Sequence, residues 1–121
     1  MDYKLGEMES RFADIIWANA PVASGRLVEL CAAQLAWKKS TTYTMLKRLC
    51  EKGLFSNDGG TVNPMISREA FYTKQGEEII ADGFSGSLPR FVAAFANSNS
   101  LSDEDVDMLR KLIDSYTENE R

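Results

Sequence analysis

Ser40, Tyr43, Thr44, Lys47 and Glu51 recur in the stretch KKSTTYTMLKRLCEKGL, residues 38–54. At about 100° per residue they fall within about 60° of one line on a helix, opposite Thr42, Met45, Leu46 and Leu49. Short hydroxyls, a phenol and an ammonium can bond phosphate oxygens and base edges or touch a thymine methyl in a major groove. A surface helix selected for helix propensity alone would carry Glu and Lys at those outer positions, not Ser, Thr and Tyr. Two readings remain at this level: a solvated face, or a face that touches DNA.

Other chemistries are poorly supplied. The sequence has no His, which removes Ser-His and Cys-His nucleophile pairs and the His-bearing zinc motifs. The two cysteines, Cys31 and Cys50, sit at apolar-compatible positions of amphipathic patterns and read as buried, reduced thiols that behave as small hydrophobes. No carboxylate pair stands out from solvated helix faces and no phosphate loop is present, so the expectation is no enzyme, no cofactor and no metal. Neither a run of about 18 apolar residues nor a secretory leader is visible. The expected chain is cytoplasmic, with no membrane insertion.

The formal net charge of −4 argues against a nucleic-acid partner only if it is taken as one number. Between Arg26 and Ser56, six cations (Arg26, Lys38, Lys39, Lys47, Arg48, Lys52) oppose only Glu29 and Glu51. The residues before carry a net −2 and those after a net −6. A local basic patch of this kind attracts phosphates despite an acidic total.

Several elements must position that patch. Leu5, Met8, Phe12, Ile15 and Ile16 predict a first helix, ended by Ala20-Pro21. Ser24 is expected to cap a second helix over about residues 25–34 that buries Leu27, Val28, Leu30 and Cys31. A short join leads to the third helix, starting at Ser40 or Thr41 and stopping at Gly53. That is helix-turn-helix spacing. Asp58-Gly59-Gly60 between two short extended runs predicts a hairpin, with Pro64 restricting the second run to a sheet edge. A hairpin after a helix-turn-helix is a wing.

From Ser67 to about Gly83 the pattern is helical again, then residues 88–96 form a short apolar helix and residues after Ser102 a third. Leu88, Phe91, Val92, Phe95, Leu101, Val106, Leu109, Leu112 and Ile113 supply the apolar stripes of this part. Such stripes serve as intramolecular core or, where three small helices leave them uncovered, as a face for a second copy; the second reading is favoured.

The order of Trp37-Lys-Lys-Ser-Thr-Thr-Tyr-Thr-Met-Leu-Lys-Arg-Leu-Cys-Glu-Lys-Gly-Leu54, wing, Gly86-Ser-Leu-Pro-Arg-Phe-Val-Ala-Ala-Phe95 and Leu101-Ser-Asp-Glu-Asp-Val-Asp-Met-Leu109 resembles the bacterial penicillinase-repressor family (BlaI/MecI/CopY). The similarity runs from Leu5 to about Ile113. It implies a mainly α fold with a small β wing: a winged helix-turn-helix DNA-binding domain over residues 1–66, then a C-terminal helical dimerisation domain over 67–121. The implied function is a transcriptional repressor that binds double-stranded palindromic operator DNA as a homodimer. Positions matching the family's DNA-reading residues are Ser40, Thr41, Tyr43, Thr44 and Lys47, with Arg48 as a phosphate or structural contact; Lys38 and Lys39 add phosphate contacts. Tyr43 stands where relatives often carry Lys or Arg. The bond cut by a membrane sensor protease in antibiotic-responsive relatives corresponds to Ala94-Phe95, with Ala94 replacing their Asn. The Cys-x-Cys cluster of copper-responsive relatives is absent. The alternative function is a non-DNA protein-interaction adaptor on the same winged-helix scaffold, which the overall acidity and the wing's lack of basic charge favour.

Overall fold

The computed structural model describes residues 3–119, so the ends of the two expected domains, residues 1–2 and 120–121, lie outside the described residues. The element order is α1 (Glu7–Asn19), β1 (Val22–Ala23), α2 (Ser24–Leu35), α3 (Lys39–Glu51), β2 (Phe55–Asp58), β3 (Thr61–Pro64), α4 (Arg68–Gly83), α5 (Leu88–Ser98) and α6 (Asp103–Asn119). This is a winged helix followed by C-terminal helices. The chain divides into two compact units between Glu78 and Ile79, within α4.

In the first unit α1 begins where Glu9 Oε1 accepts from the Gly6 amide at 3.5 Å. It buries Phe12, Ala13, Ile15 and Ile16. Its end is closed by the Ala20 amide on the Ile16 carbonyl and by Asn19 Nδ2 on the Ile15 carbonyl at 2.7 Å. These apolar residues meet Leu27 and Cys31 of α2, Leu46 and Leu49 of α3, Leu54, Phe55, Val62 and Phe71 in one buried core. Trp17 pins its periphery. Its ring packs on Phe55, Phe71 and Tyr72, with centroids 5.2, 5.6 and 6.2 Å away, while its Nε1 donates to the Ile66 carbonyl at 3.0 Å.

The helix-turn-helix corner is made by Ala36, which adopts a left-handed φ of 56° and lets its own amide and that of Trp37 bond the Cys31 carbonyl. Trp37 then folds back onto Phe12, ring centroids 5.2 Å apart. A Cβ in this conformation costs about 1–2 kcal/mol, partly offset by the extra freedom a glycine would lose on folding. Ala36→Gly is therefore expected to stabilise the first unit by about 0.5–1 kcal/mol, read as a higher urea midpoint by tryptophan fluorescence. An unchanged or lower midpoint would show that the corner is not strained.

Two local expectations need correction. Ser24 does not cap α2: Ala23 occupies the cap position and Ser24 is the first helical residue, its hydroxyl turned to another partner. The third helix starts at Lys39, slightly earlier than Ser40 or Thr41, with Lys38 at its cap position and the Thr42 amide closing on the Lys38 carbonyl at 3.1 Å. Gly53 stops it as expected, at φ 88°, with the Leu54 amide reaching back to Leu49 at 3.1 Å.

The hairpin turn is also where the sequence put it: Gly59 and Gly60 have φ of 59° and 91°, and Asn57 Oδ1 accepts from the Gly60 amide. The sheet differs from expectation, because its strand order is β1-β3-β2, so β3 is central and not an edge. Pro64 is tolerated because β1 pairs only as far as Val22↔Val62 and Ala23↔Thr61. At Pro64 the only strand partner among the described residues is Phe55 of β2.

In the second unit the caps are local. Ser87 accepts from the Arg90 amide at 3.2 Å, with Pro89 in the first turn of α5. Ser102 accepts from the Asp105 amide at 3.0 Å ahead of the acidic first turn of α6. Phe91 stacks edge-on against Phe84, centroids 5.3 Å apart. No described residue of this unit is buried. Among the described residues no helix is long and apolar enough to cross a membrane.

Candidate nucleic-acid interface

The α3 helix is rooted by Leu46 and Leu49, and by Thr42, the one buried polar side chain among the described residues. The Thr42 hydroxyl donates to the Lys38 carbonyl at 3.4 Å, so it enters the core without leaving an unpaired donor. Fixing that face turns the opposite one outward. Lys38, Lys39, Ser40, Thr41, Tyr43, Thr44, Lys47 and Arg48 are all exposed, gathered on α3 and its N-terminal approach. The helix N-terminus, where base edges are read in helix-turn-helix docking, thus carries the small hydroxyls.

The basic patch is smaller than composition suggests. Arg26 is paired with Glu29 at 2.9 Å, and Lys52 bonds Glu9 at 3.2 Å and the Lys4 carbonyl at 3.3 Å. Lys52 belongs to the scaffold, whereas Arg26 stays on the surface with its charge partly balanced by Glu29. Lys38, Lys39, Lys47 and Arg48 form no ion pair among the described residues, so their charge is directed at solvent. The wing brings no cation, and its exposed Asp58 accepts from the Ser56 hydroxyl.

Tyr43 is 37% exposed, and its phenol oxygen lies 3.2 Å from the Ser24 hydroxyl on α2. Sequence reasoning missed this contact. The signal was a Ser at the start of a helix, a pattern that ordinarily means a cap. A cleft of 300 Å³ beside it is lined by Tyr43, Leu46, Lys47, Cys50 and Asn57. Burial pushes the Cys50 thiol up from its ordinary pKa, with Asp58 and Glu51 adding to the shift. Burial likewise raises that of Cys31, with the nearby Thr42 hydroxyl working against the shift. Both thiols stay protonated at neutral pH and are poor nucleophiles. Among the described residues no group of three or more His, Cys, Asp or Glu could hold a metal ion.

The apolar residues of the second unit form an open surface. Leu88, Phe95, Leu109, Leu112 and Ile113 are exposed, while Phe91, Val92, Leu101 and Val106 are half-buried. Phe91, Val92 and Phe95 of α5 face Leu101 and the Met108, Leu109 and Leu112 of α6 across a groove of 740 Å³, flanked by Asp105 and Lys111. Met108, 68% exposed, was not anticipated. The spacing of 101, 105, 108 and 112 is helical, but Asp105 interrupts its polarity. Ala94 and Phe95, at the candidate cleavage position, are exposed on α5.

The family model described as Penicillinase repressor matches residues 5–115. A curated relative, the Penicillinase repressor of Bacillus licheniformis, is 20% identical over 117 residues, covering 93% of this chain and 91% of that one. With nearly the whole chain matched, the protein belongs to the penicillinase repressor family, a family of repressor-type transcription regulators.

Proposed function

We propose that the protein is a sequence-specific DNA-binding repressor that acts in the cytoplasm and occupies a palindromic operator as a homodimer. The observation that carries this reading is the outward face of α3: four cations without ion pairs among the described residues, beside Ser40, Thr41, Tyr43 and Thr44, all exposed and rooted by a buried opposite face. Each α3 enters one major groove, and the half-sites lie a helical turn or a multiple apart. Lys38, Lys39, Lys47 and Arg48 neutralise phosphates, and Ser40, Tyr43 and Thr44 read base edges. The apolar face of α5 and α6 joins two copies. A membrane sensor protease cutting Ala94-Phe95 fits the same scheme, because the cut severs the helix whose Phe91 and Phe95 line the groove.

The test is a mobility-shift assay of the full chain on DNA from upstream of its own gene, over a range of salt. Affinity should fall steeply with salt, with a slope of about 0.9 per phosphate neutralised. Lys47→Ala should lower that slope by about one such unit and weaken binding to all sequences alike; an unaltered slope removes Lys47 from the contact set. The wing without cations and with Asp58 exposed favours the adaptor reading instead. An adaptor would give no salt-sensitive, sequence-dependent shift.

A further inference from the structure

Tyr43 stands on the outward face of α3 but is not free to swing. Its hydroxyl lies 3.2 Å from that of Ser24, nineteen positions earlier in the chain. Ser24 is the first residue of α2 and makes no cap bond, so its hydroxyl is available for this pairing. Its position is in turn fixed from the wing: the Ser24 amide donates to the Gly60 carbonyl at 2.8 Å, and Gly60 belongs to the turn between β2 and β3. A Cβ on Gly60 would lie 3.8 Å from the Ser24 Oγ, so the turn backbone sits close behind the hydroxyl.

We propose that Ser24 is a specificity-determining positioning residue, whose hydroxyl holds the Tyr43 ring in one orientation for base reading and whose amide makes the wing turn part of the same support. The inference rests on the DNA-binding reading above. A tyrosine has two side-chain torsions, and an anchor at the phenol oxygen restricts both. The ring edge is then presented to one base step, where an apolar edge suits a thymine methyl. In a pair of hydroxyls one donates and the other keeps its own proton. The bound pair therefore still has a donor to offer a base edge. The wing contributes to base selection through Gly60, Ser24 and Tyr43 even where it carries no cation of its own.

The test uses the full chain to select duplexes from a randomised pool, followed by affinity measurements on the best duplex and its single base-pair variants at several salt concentrations. Ser24→Ala and Tyr43→Phe should each lower discrimination at the same base-pair position by about 3- to 10-fold, the effect of one lost hydrogen bond. The salt slope should stay unchanged, since no phosphate contact is lost. The double variant should lose no more than either single one, and Ser24→Thr should retain the wild-type preference. Unaltered discrimination in Ser24→Ala, or an equal loss across all sequences, overturns the proposal while the DNA-binding reading stands. If the wild-type chain selects no duplex, both fall.

Discussion

Leu112→Asp is expected to turn the proposed dimer into a monomer and to weaken the proposed operator binding by about 10²- to 10⁴-fold, the avidity lost when two half-sites are no longer engaged together. Leu112 is 52% exposed and lines the groove between α5 and α6, so its loss takes little from the packing within one copy. In a two-fold interface the same substitution is met twice. Each copy then forfeits about 0.8–1.5 kcal/mol of leucine burial, half the value for a fully exposed side chain, and also buries a carboxylate on an apolar surface. Lys111 lies on the groove rim, 3.0 Å from Asp107 in an exposed bridge one turn apart, and as a solvated cation offsets little of that cost. Light scattering at micromolar concentration reads the oligomer, the mobility shift reads the affinity, and circular dichroism should stay unchanged. A Leu112→Asp chain that still scatters as a dimer would move the interface elsewhere on the molecule. A wild-type chain that scatters as a monomer would remove the homodimer from the proposed function.

The parts of this molecule that could be read from sequence are those whose physics is local. Thr42, Leu46 and Leu49 share a helical period, so their burial and the exposure of Ser40, Thr44 and Lys47 follow together. Ser102 precedes a helix and caps it through an amide three residues on, and the break at Gly86-Ser87 is where α4 gives way to α5. Gly53 and the Gly59-Gly60 pair mark positions of positive φ. What escaped depends on pairing across the chain. A two-residue strand has no periodicity to detect, yet β1 decides that β3 is central and so reverses the meaning of Pro64. Lys52 counts as part of a basic patch until its bond to Glu9, 43 positions away, assigns it to the scaffold. Ser24 has the residue type and place of a cap, and only the approach of α3 shows that its hydroxyl serves Tyr43. In each case composition was right about what was present and silent about which partner would claim it.

Phe71→Ala should cost the first unit about 3–5 kcal/mol, a large fraction of the 5–15 kcal/mol that holds a typical domain together. Phe71 is fully buried, although it lies on α4, beyond the wing. Its ring packs against Trp17, Tyr72 and Tyr3, with centroids 5.6, 5.2 and 5.8 Å away. Around it, Gln75 Nε2 donates to the Tyr3 carbonyl at 3.0 Å, and Arg68 bonds Asp14 at 2.8 Å while lying 4.7 Å from the Tyr72 ring centroid. The exposed Arg68 contacts add little, because solvent screens them. The apolar rings carry the attachment. Removing Phe71 leaves a void that Trp17 cannot fill while its Nε1 stays on the Ile66 carbonyl. Both tryptophans of the chain, Trp17 and Trp37, lie in the first unit, so fluorescence reports on that unit alone. The urea midpoint of Phe71→Ala should fall sharply, and the DNA affinity proposed for α3 should be lost at temperatures where the wild type retains it. Phe95→Ala supplies the contrast, since that ring is 48% exposed on α5 and should leave the tryptophan transition where it is. Equal midpoints for Phe71→Ala and wild type would mean that the first turns of α4 do not brace the winged helix, and that the core formed by α1, α2 and α3 holds the recognition surface unaided.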